Sequence, residues 1–137
     1  MTDTKTGYTY KLRQILKSNL RNSFGLHKNK KTGIEANLSG DSVNKIGSEK
    51  AIEKSKLNGF SVEEHFEVAN NIVELYEDAD LVETRPDKNH SADLKSIKRF
   101  DSNVYLKRGL AAIAHITVKE SVINGHKIYS VEVMSLE

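Results

Sequence analysis

The chain has 137 residues, a net charge of +2 and no cysteine. This length fits a single domain, and the lack of cysteine excludes disulfides, thiolate metal sites and a cysteine nucleophile. We expect a cytoplasmic protein with no membrane contact, because the sequence shows neither an apolar run long enough to span a bilayer nor an apolar signal core near its start.

The charge is unevenly distributed along the chain. Residues 1–59 contain 12 basic and 5 acidic side chains, a net charge of +7, whereas residues 60–137 carry a net charge of −5. A basic front half indicates either a surface that meets a polyanion or an acidic partner, or an ordinary solvated surface. We interpret residues 1–137 as a single domain, with a basic helical extension at 1–29 and an α+β domain at 30–137.

The spacing of apolar residues predicts helices in the first half of the chain. Leucine and isoleucine recur every three or four residues over 8–24, which predicts a helix, and a basic turn follows at 27–33. A short strand is predicted over 34–39. Serine caps predict a helix over 48–57 and, with a capping box, a longer helix over 61–78.

The second half of the chain has the period of strands. We predict strands over 81–83, 96–100, 110–119 and 127–134. Turn sequences at 107–109 and 124–125 predict hairpins. Helices followed by a meander predict an α+β fold, in which N-terminal helices pack on a four-stranded, mainly antiparallel C-terminal sheet.

His65 is the first candidate for a catalytic group. Helical geometry places it within the apolar stripe of the predicted helix, away from the acidic face. We interpret it either as a catalytic acid or base in a cleft between helix and sheet, or as a histidine at the edge of the core that bonds a backbone carbonyl.

The strand over 110–119 places a second histidine beside other polar groups. Because side chains alternate along a strand, His115, Thr117 and Lys119 share one face, and the other face is apolar. Cleavage of RNA through its own 2′-hydroxyl needs a base, an acid and a cation that stabilises the phosphorane charge. This face indicates either such a site or an ordinary solvent-facing surface.

Other side chains could assist binding. Lys98 and Arg99 point to opposite faces of their strand, so at most one shares the face of His115, and either could bind phosphate. Tyr129 could donate a hydroxyl or simply be packed. No residue spacing matches a histidine zinc site or a nucleotide-binding loop, so we expect no metal and no cofactor.

A separate group of cations lies in the basic turn. Lys28, Lys30 and Lys31 follow a helix that is itself basic. We expect them to contribute to RNA binding. Such binding should weaken with added salt, because phosphate contacts release counterions.

Four segments, taken in order, resemble a known family. They are 58–66 (NGFSVEEHF), 96–100 (SIKRF), 116–121 (ITVKES) and 125–130 (GHKIYS). Together they resemble the barnase–EndoU–colicin–RelE-like nuclease domains of large polyvalent phage proteins and mobile-element toxins. The resemblance covers roughly residues 30–137 and is strongest from residue 49 onward.

The resemblance implies a helix packed on a curved antiparallel sheet and a toxin-like, metal-independent cleavage of RNA. Sites in such domains combine a helix residue with polar residues of the sheet, which here implies His65 with His115, Thr117 and Lys119, assisted by Lys98 or Arg99. An immunity or antitoxin protein would then be a natural partner. The alternative is a non-enzymatic module that binds nucleic acid or protein, since a fold does not determine activity.

Overall fold

The computed structural model describes residues 2–86 and 94–137, with side chains for 7–86 and 96–137. It is an α+β structure. The helices are α1 (Thr2–Leu20), α2 (Gly40–Ile46), α3 (Glu49–Leu57), α4 (Val62–Ala69) and α5 (Ile72–Asp78), and a 3₁₀ turn (Arg21–Ser23) follows α1. The strands are β1 (Gly25–Lys28), β2 (Glu35–Leu38), β3 (Asp80–Arg85), β4 (Leu94–Tyr105), β5 (Ala111–Ile123) and β6 (His126–Leu136). Within this part of the chain, no helix has the length and apolar character needed to cross a membrane.

The strands form one mixed sheet of six strands, in the order β1-β2-β6-β5-β4-β3. All neighbouring strands are antiparallel except β2 and β6, which pair in parallel through residues 36–37 and 129–130. The prediction of a four-stranded, mainly antiparallel sheet is therefore wrong. It fails because β1 lies in a stretch that has the sequence of a helix end and a basic turn. It fails also because β2 and β6 pair although about 90 residues separate them in the sequence, and no local sequence pattern indicates such a contact.

The predicted helix over 61–78 is divided into two helices. Ser61 and Glu64 form the expected capping box at the start of α4. The chain then turns at Asn70 and Asn71. The backbone N–H and the side-chain amide of Asn70 both donate to the carbonyl of Phe66, which ends α4. Asparagine interrupts helices in this way because its side chain competes for backbone partners.

The helices pack on one face of the sheet, which we call the helix-bearing face. On this face Phe100, Ile116 and Met134 are fully buried, and Tyr76 of α5 contacts Phe100 edge-on with ring centroids 5.0 Å apart. Leu16 of α1 is also fully buried in the same cluster. Each large apolar side chain buried in this way contributes about 1.5–3 kcal/mol. The division of the chain after residue 29 stays a prediction.

Two hairpin turns fix the register of the long strands. Asn124 and Gly125 both have positive φ, 52° and 79°, as a two-residue turn between β5 and β6 requires. The turn between β4 and β5 is closed by a hydrogen bond from Leu106 N to Leu110 O of 2.9 Å. These registers determine which side chains of the three strands lie side by side.

Candidate functional site on the open face of the sheet

The sheet face opposite the helices, which we call the open face, carries the polar side chains of β5. His115, Thr117 and Lys119 lie there and are half-buried, whereas Ile116 and Val118 between them are fully buried on the helix-bearing face. The structure therefore brings the three predicted side chains of this strand together on one surface.

The neighbouring strand β4 shows which cation joins them. Arg99 lies directly opposite Thr117, and directly opposite residues of an antiparallel pair project on the same face. Lys98 lies opposite Val118 and projects to the helix-bearing face. Arg99, and not Lys98, thus belongs to the group around His115.

His115 is held between two carboxylates. Its Nδ1 is 2.6 Å from Oδ1 of Asp101, which lies directly opposite on β4, and its Nε2 contacts Oε1 of Glu137. Arg99 Nε lies 3.3 Å from the same Asp101 oxygen. The Asp101 contact fixes the orientation of the ring and leaves Nε2 facing a glutamate whose side chain is 62% exposed. Carboxylate and imidazole in this arrangement resemble the base and its orienting group in acyl-transfer sites.

Thr117 lies at the centre of the group. Arg99 is its neighbour across the strand pair, and His115 and Lys119 are each two residues away, about 6.8 Å along the strand. Among the residues whose side chains are described, the Thr117 hydroxyl forms no hydrogen bond. A hydroxyl, a guanidinium, an ammonium and an imidazole thus border one small area, a combination that suits a phosphate group.

The open face carries acidic groups as well as cations. Lys119 Nζ is 3.2 Å from Glu132, and Arg85 Nε is 3.8 Å from Glu83. Glu132 also forms an ion pair with Lys45, whose Nζ is 2.8 Å from Oε1 of Glu132. Because each of the described cations Arg85, Arg99 and Lys119 has an acidic neighbour, this part of the surface has no strong positive field, and anion binding there depends on a few specific contacts.

His65 lies on the other side of the sheet, inside the core. It is fully buried; its Nε2 is 2.7 Å from the carbonyl of Ile46, and its Nδ1 is 2.8 Å from Oγ of Ser55. The Ser55 hydroxyl in turn accepts the backbone N–H of Leu136 at 2.9 Å. These bonds link α2, α3, α4 and β6. The structure does not bring His65 and His115 together, so His65 is not part of the candidate site.

Burial of His65 predicts a dependence of stability on pH. Desolvation lowers the pKa of His65 below its usual value of 6.5, so the folded state keeps the ring neutral where the unfolded chain binds a proton. We expect the free energy of unfolding to fall as pH decreases through 6.5. Urea unfolding one pH unit above and one below that value measures the change.

A matched pair of variants isolates this contribution. His65→Gln should lose much of the pH dependence, because its amide can donate to Ile46 but does not titrate. His126→Gln, at an exposed position, should keep it. An identical pH dependence in the wild type and His65→Gln would contradict the assignment.

The basic turn is tied to the end of α5. Asn29 is fully buried and donates through its side-chain amide to two backbone carbonyls there, at 2.7 and 2.9 Å. Lys30 and Lys31 form ion pairs of 3.1 and 2.6 Å with aspartates at the end of α5 and the start of β3. Lys28 is exposed at the end of β1. RNA binding by these three lysines stays a prediction.

Tyr129 is separated from the group around His115. It lies opposite Glu120, which is buried, and it packs partly buried against the core on the helix-bearing face. A direct part for Tyr129 or Lys98 in chemistry on the open face therefore has no geometric support.

Comparison with known proteins places the chain in a family. Its sequence matches, over residues 3–129, the model of the family described as large polyvalent protein-associated domain 3. The chain belongs to this family. The part of the sequence resemblance that concerns large polyvalent proteins is thereby confirmed, and the description of the family names no activity. No curated protein and no solved structure matches the chain.

Two residues of the candidate site were not predicted from the sequence. These are the partners of His115: Asp101, which lies on β4, and Glu137, which directly follows β6. The position of Asp101 could have been predicted from the turn sequence at 107–109. A hairpin centred on residue 108 pairs residue 101 with residue 115. Glu137 could not be found in the same way, because an irregularity between Thr117 and Val118 shifts the register of β5 and β6.

The acidic groups that the structure describes do not form a metal-binding cluster. Among the described residues, no group of three or more histidine, aspartate or glutamate side chains is arranged to hold a metal ion. The described part of the open face instead combines cations, carboxylates and the His115 imidazole with apolar side chains such as Val133, which lies directly opposite Thr117.

Proposed function

We propose that the open face cleaves RNA by transesterification at the 2′-hydroxyl, with no metal ion as co-reactant. One observation supports this most: His115, oriented by Asp101, borders the same small area as Arg99, Thr117 and Lys119. A proton-transfer group beside a phosphate-binding group is what this reaction requires.

The reaction balances with the groups present. The 2′ oxygen forms a bond to phosphorus while the bond from phosphorus to the 5′ oxygen breaks. A base takes the 2′ proton, and an acid gives a proton to the departing 5′ oxygen. Because Asp101 occupies Nδ1, His115 exchanges protons through Nε2. Glu137 contacts Nε2, so its side chain, which is 62% exposed, has to turn away to admit the phosphate; it then supplies the second proton-transfer group from the opposite side of the phosphorus.

The remaining side chains act on the phosphate. Arg99 can donate two parallel hydrogen bonds to phosphate oxygens, Thr117 donates its hydroxyl, and Lys119 adds a positive charge. In the phosphorane, negative charge accumulates on these oxygens, so the contacts strengthen as the reaction proceeds. Stabilisation that grows toward the transition state is the kind that accelerates cleavage.

A direct assay uses chelator-treated protein and a panel of RNAs of varied sequence. We expect products that end in a 2′,3′-cyclic phosphate and a 5′-hydroxyl, and no cleavage of DNA of the same sequences, because DNA lacks the nucleophile. If the whole panel stays intact, the cleavage proposal fails, and the alternative of a module that only binds its partner replaces it.

Binding to RNA should show a shallow salt dependence, because few cations on the open face are available. We expect Arg99→Ala to make the slope of log K against log salt shallower by the amount that one phosphate contact contributes, about 0.7 to 1. A 2′-O-methyl RNA, whose nucleophile is blocked, allows binding to be measured without cleavage. Arg108→Ala is the control. Arg108 lies in the turn between β4 and β5, away from the group around His115, and forms an ion pair with Glu64 of α4. Equal slopes for both variants and the wild type would remove Arg99 from the interface.

A further inference from the structure

Part of β4 has a free edge. β3 begins at Asp80, immediately after α5, and pairs with β4 only over residues 97–101. β4 continues to Tyr105, paired with β5 on its other side. Among the described strands, none pairs with residues 102–105 on the β3 side. Such an edge presents backbone N–H and C=O groups that an added strand can bond.

A groove runs along this edge. It has a volume of about 300 Å³ and lies between the end of β4 and the helices α4 and α5. Its apolar lining includes Val68, Leu75 and Val104, and its acidic lining consists of Glu67 and Glu74. A sheet edge that borders a groove with both apolar and polar lining is a geometry in which proteins bind an extended peptide by strand addition.

We propose that this groove binds an extended peptide segment in which basic and apolar residues alternate, as a further strand beside residues 102–105. Side chains of an added strand alternate between the two faces of the sheet. A lysine or arginine on the groove side places its aliphatic stem against Val68 and Leu75 and its charge at Glu67 and Glu74. This site is separate from the open-face chemistry, and the inference does not depend on RNA cleavage.

The side chains of the added strand that point away from the groove would lie near an aromatic ring. Tyr105 lies opposite Ala111 at the end of β4, and 82% of its surface is exposed. An apolar side chain of the added strand would lie beside this ring, and pairs of aromatic and apolar residues stabilise neighbouring strands. The carboxylates of Glu67 and Glu74 repel phosphates, so the charge of the groove favours a basic peptide over a nucleic acid.

The test uses a fluorescein-labelled hexapeptide of alternating lysine and valine, with both termini blocked. We expect it to bind at least about tenfold more tightly than the matched peptide of alternating glutamate and valine, because like charges repel across the groove. Fluorescence anisotropy measures both affinities. Backbone amide shifts in NMR spectra should change most at residues 102–105.

Two double variants separate the groove from general surface charge. Glu67→Gln with Glu74→Gln should weaken binding of the lysine peptide about fivefold or more. Glutamine at 67 keeps the acceptor for the backbone N–H of Lys107, so the turn is preserved. Glu49→Gln with Glu53→Gln, on the exposed surface of α3, should leave binding unchanged. Equal affinity for the two peptides, equal loss in both double variants, or amide shifts that map elsewhere would each overturn the proposal.

Discussion

Replacing His115 with alanine should lower the rate of RNA cleavage by about 10²- to 10⁴-fold, because a positioned proton-transfer group contributes that much. The fold should survive. The side chain projects to the open face and its contacts are with Asp101 and Glu137, outside the hydrophobic core. Cleavage rates and urea unfolding are measured on the same preparations, so that lost activity is distinguished from lost structure.

His126→Ala is the matched control for this prediction. It removes another histidine of the second half of the chain, at an exposed position at the start of β6. We expect its cleavage rate to stay near that of the wild type. A His115→Ala protein that cuts RNA as fast as the control would show that the open-face imidazole takes no part in the reaction.

Replacing His65 with alanine should instead destabilise the protein by about 3 kcal/mol. The change leaves the carbonyl of Ile46 without its buried donor, which costs about 1–3 kcal/mol, and the cavity left by the ring adds to the loss. Ser55 keeps the Leu136 N–H but loses the ring nitrogen. Denaturant unfolding at a pH above the titration of the ring measures the change.

The two histidines should therefore separate in paired measurements. The His65→Ala protein, assayed at a temperature where it is folded, should cleave RNA at a rate close to that of the wild type. A loss of less than about 1 kcal/mol would contradict the structural assignment, since ordinary surface substitutions lie in that range. A selective loss of cleavage with stability unchanged would return His65 to the candidate site.

The starts of α3 and α4 were predictable because capping is local, whereas the capped start of α2 at Ser39 was not predicted. Ser48 and Ser61 each accept a backbone N–H three residues later, as their sequence contexts predict. The break at Asn70 and Asn71 was missed, since the apolar stripe continues through it and period alone does not report a turn. The pairing of β2 with β6 was also missed, because it joins segments far apart in the chain.

For the candidate site, alternation along one strand predicted that His115, Thr117 and Lys119 share a face. The choice between Lys98 and Arg99 needed the register of β4, which sequence alone left open. The sequence correctly placed His65 in the apolar stripe of its helix. Its complete burial, however, depends on how α2, α3 and β6 pack around it, which the sequence pattern does not show. Helical periodicity specifies the direction of a side chain and not its burial.

The most direct measurement of the central proposal uses a DNA strand with a single ribonucleotide, flanked by randomised positions. Chelator-treated protein should cut only at the phosphate that follows the ribonucleotide and leave a 2′,3′-cyclic phosphate, which mass spectrometry distinguishes from the hydrolysed end. The all-DNA strand should stay intact, and the His115→Ala protein should cut at least about 100-fold more slowly. Cleavage at deoxyribonucleotides, or a pool that stays uncut in every flanking sequence, would contradict RNA transesterification on the open face.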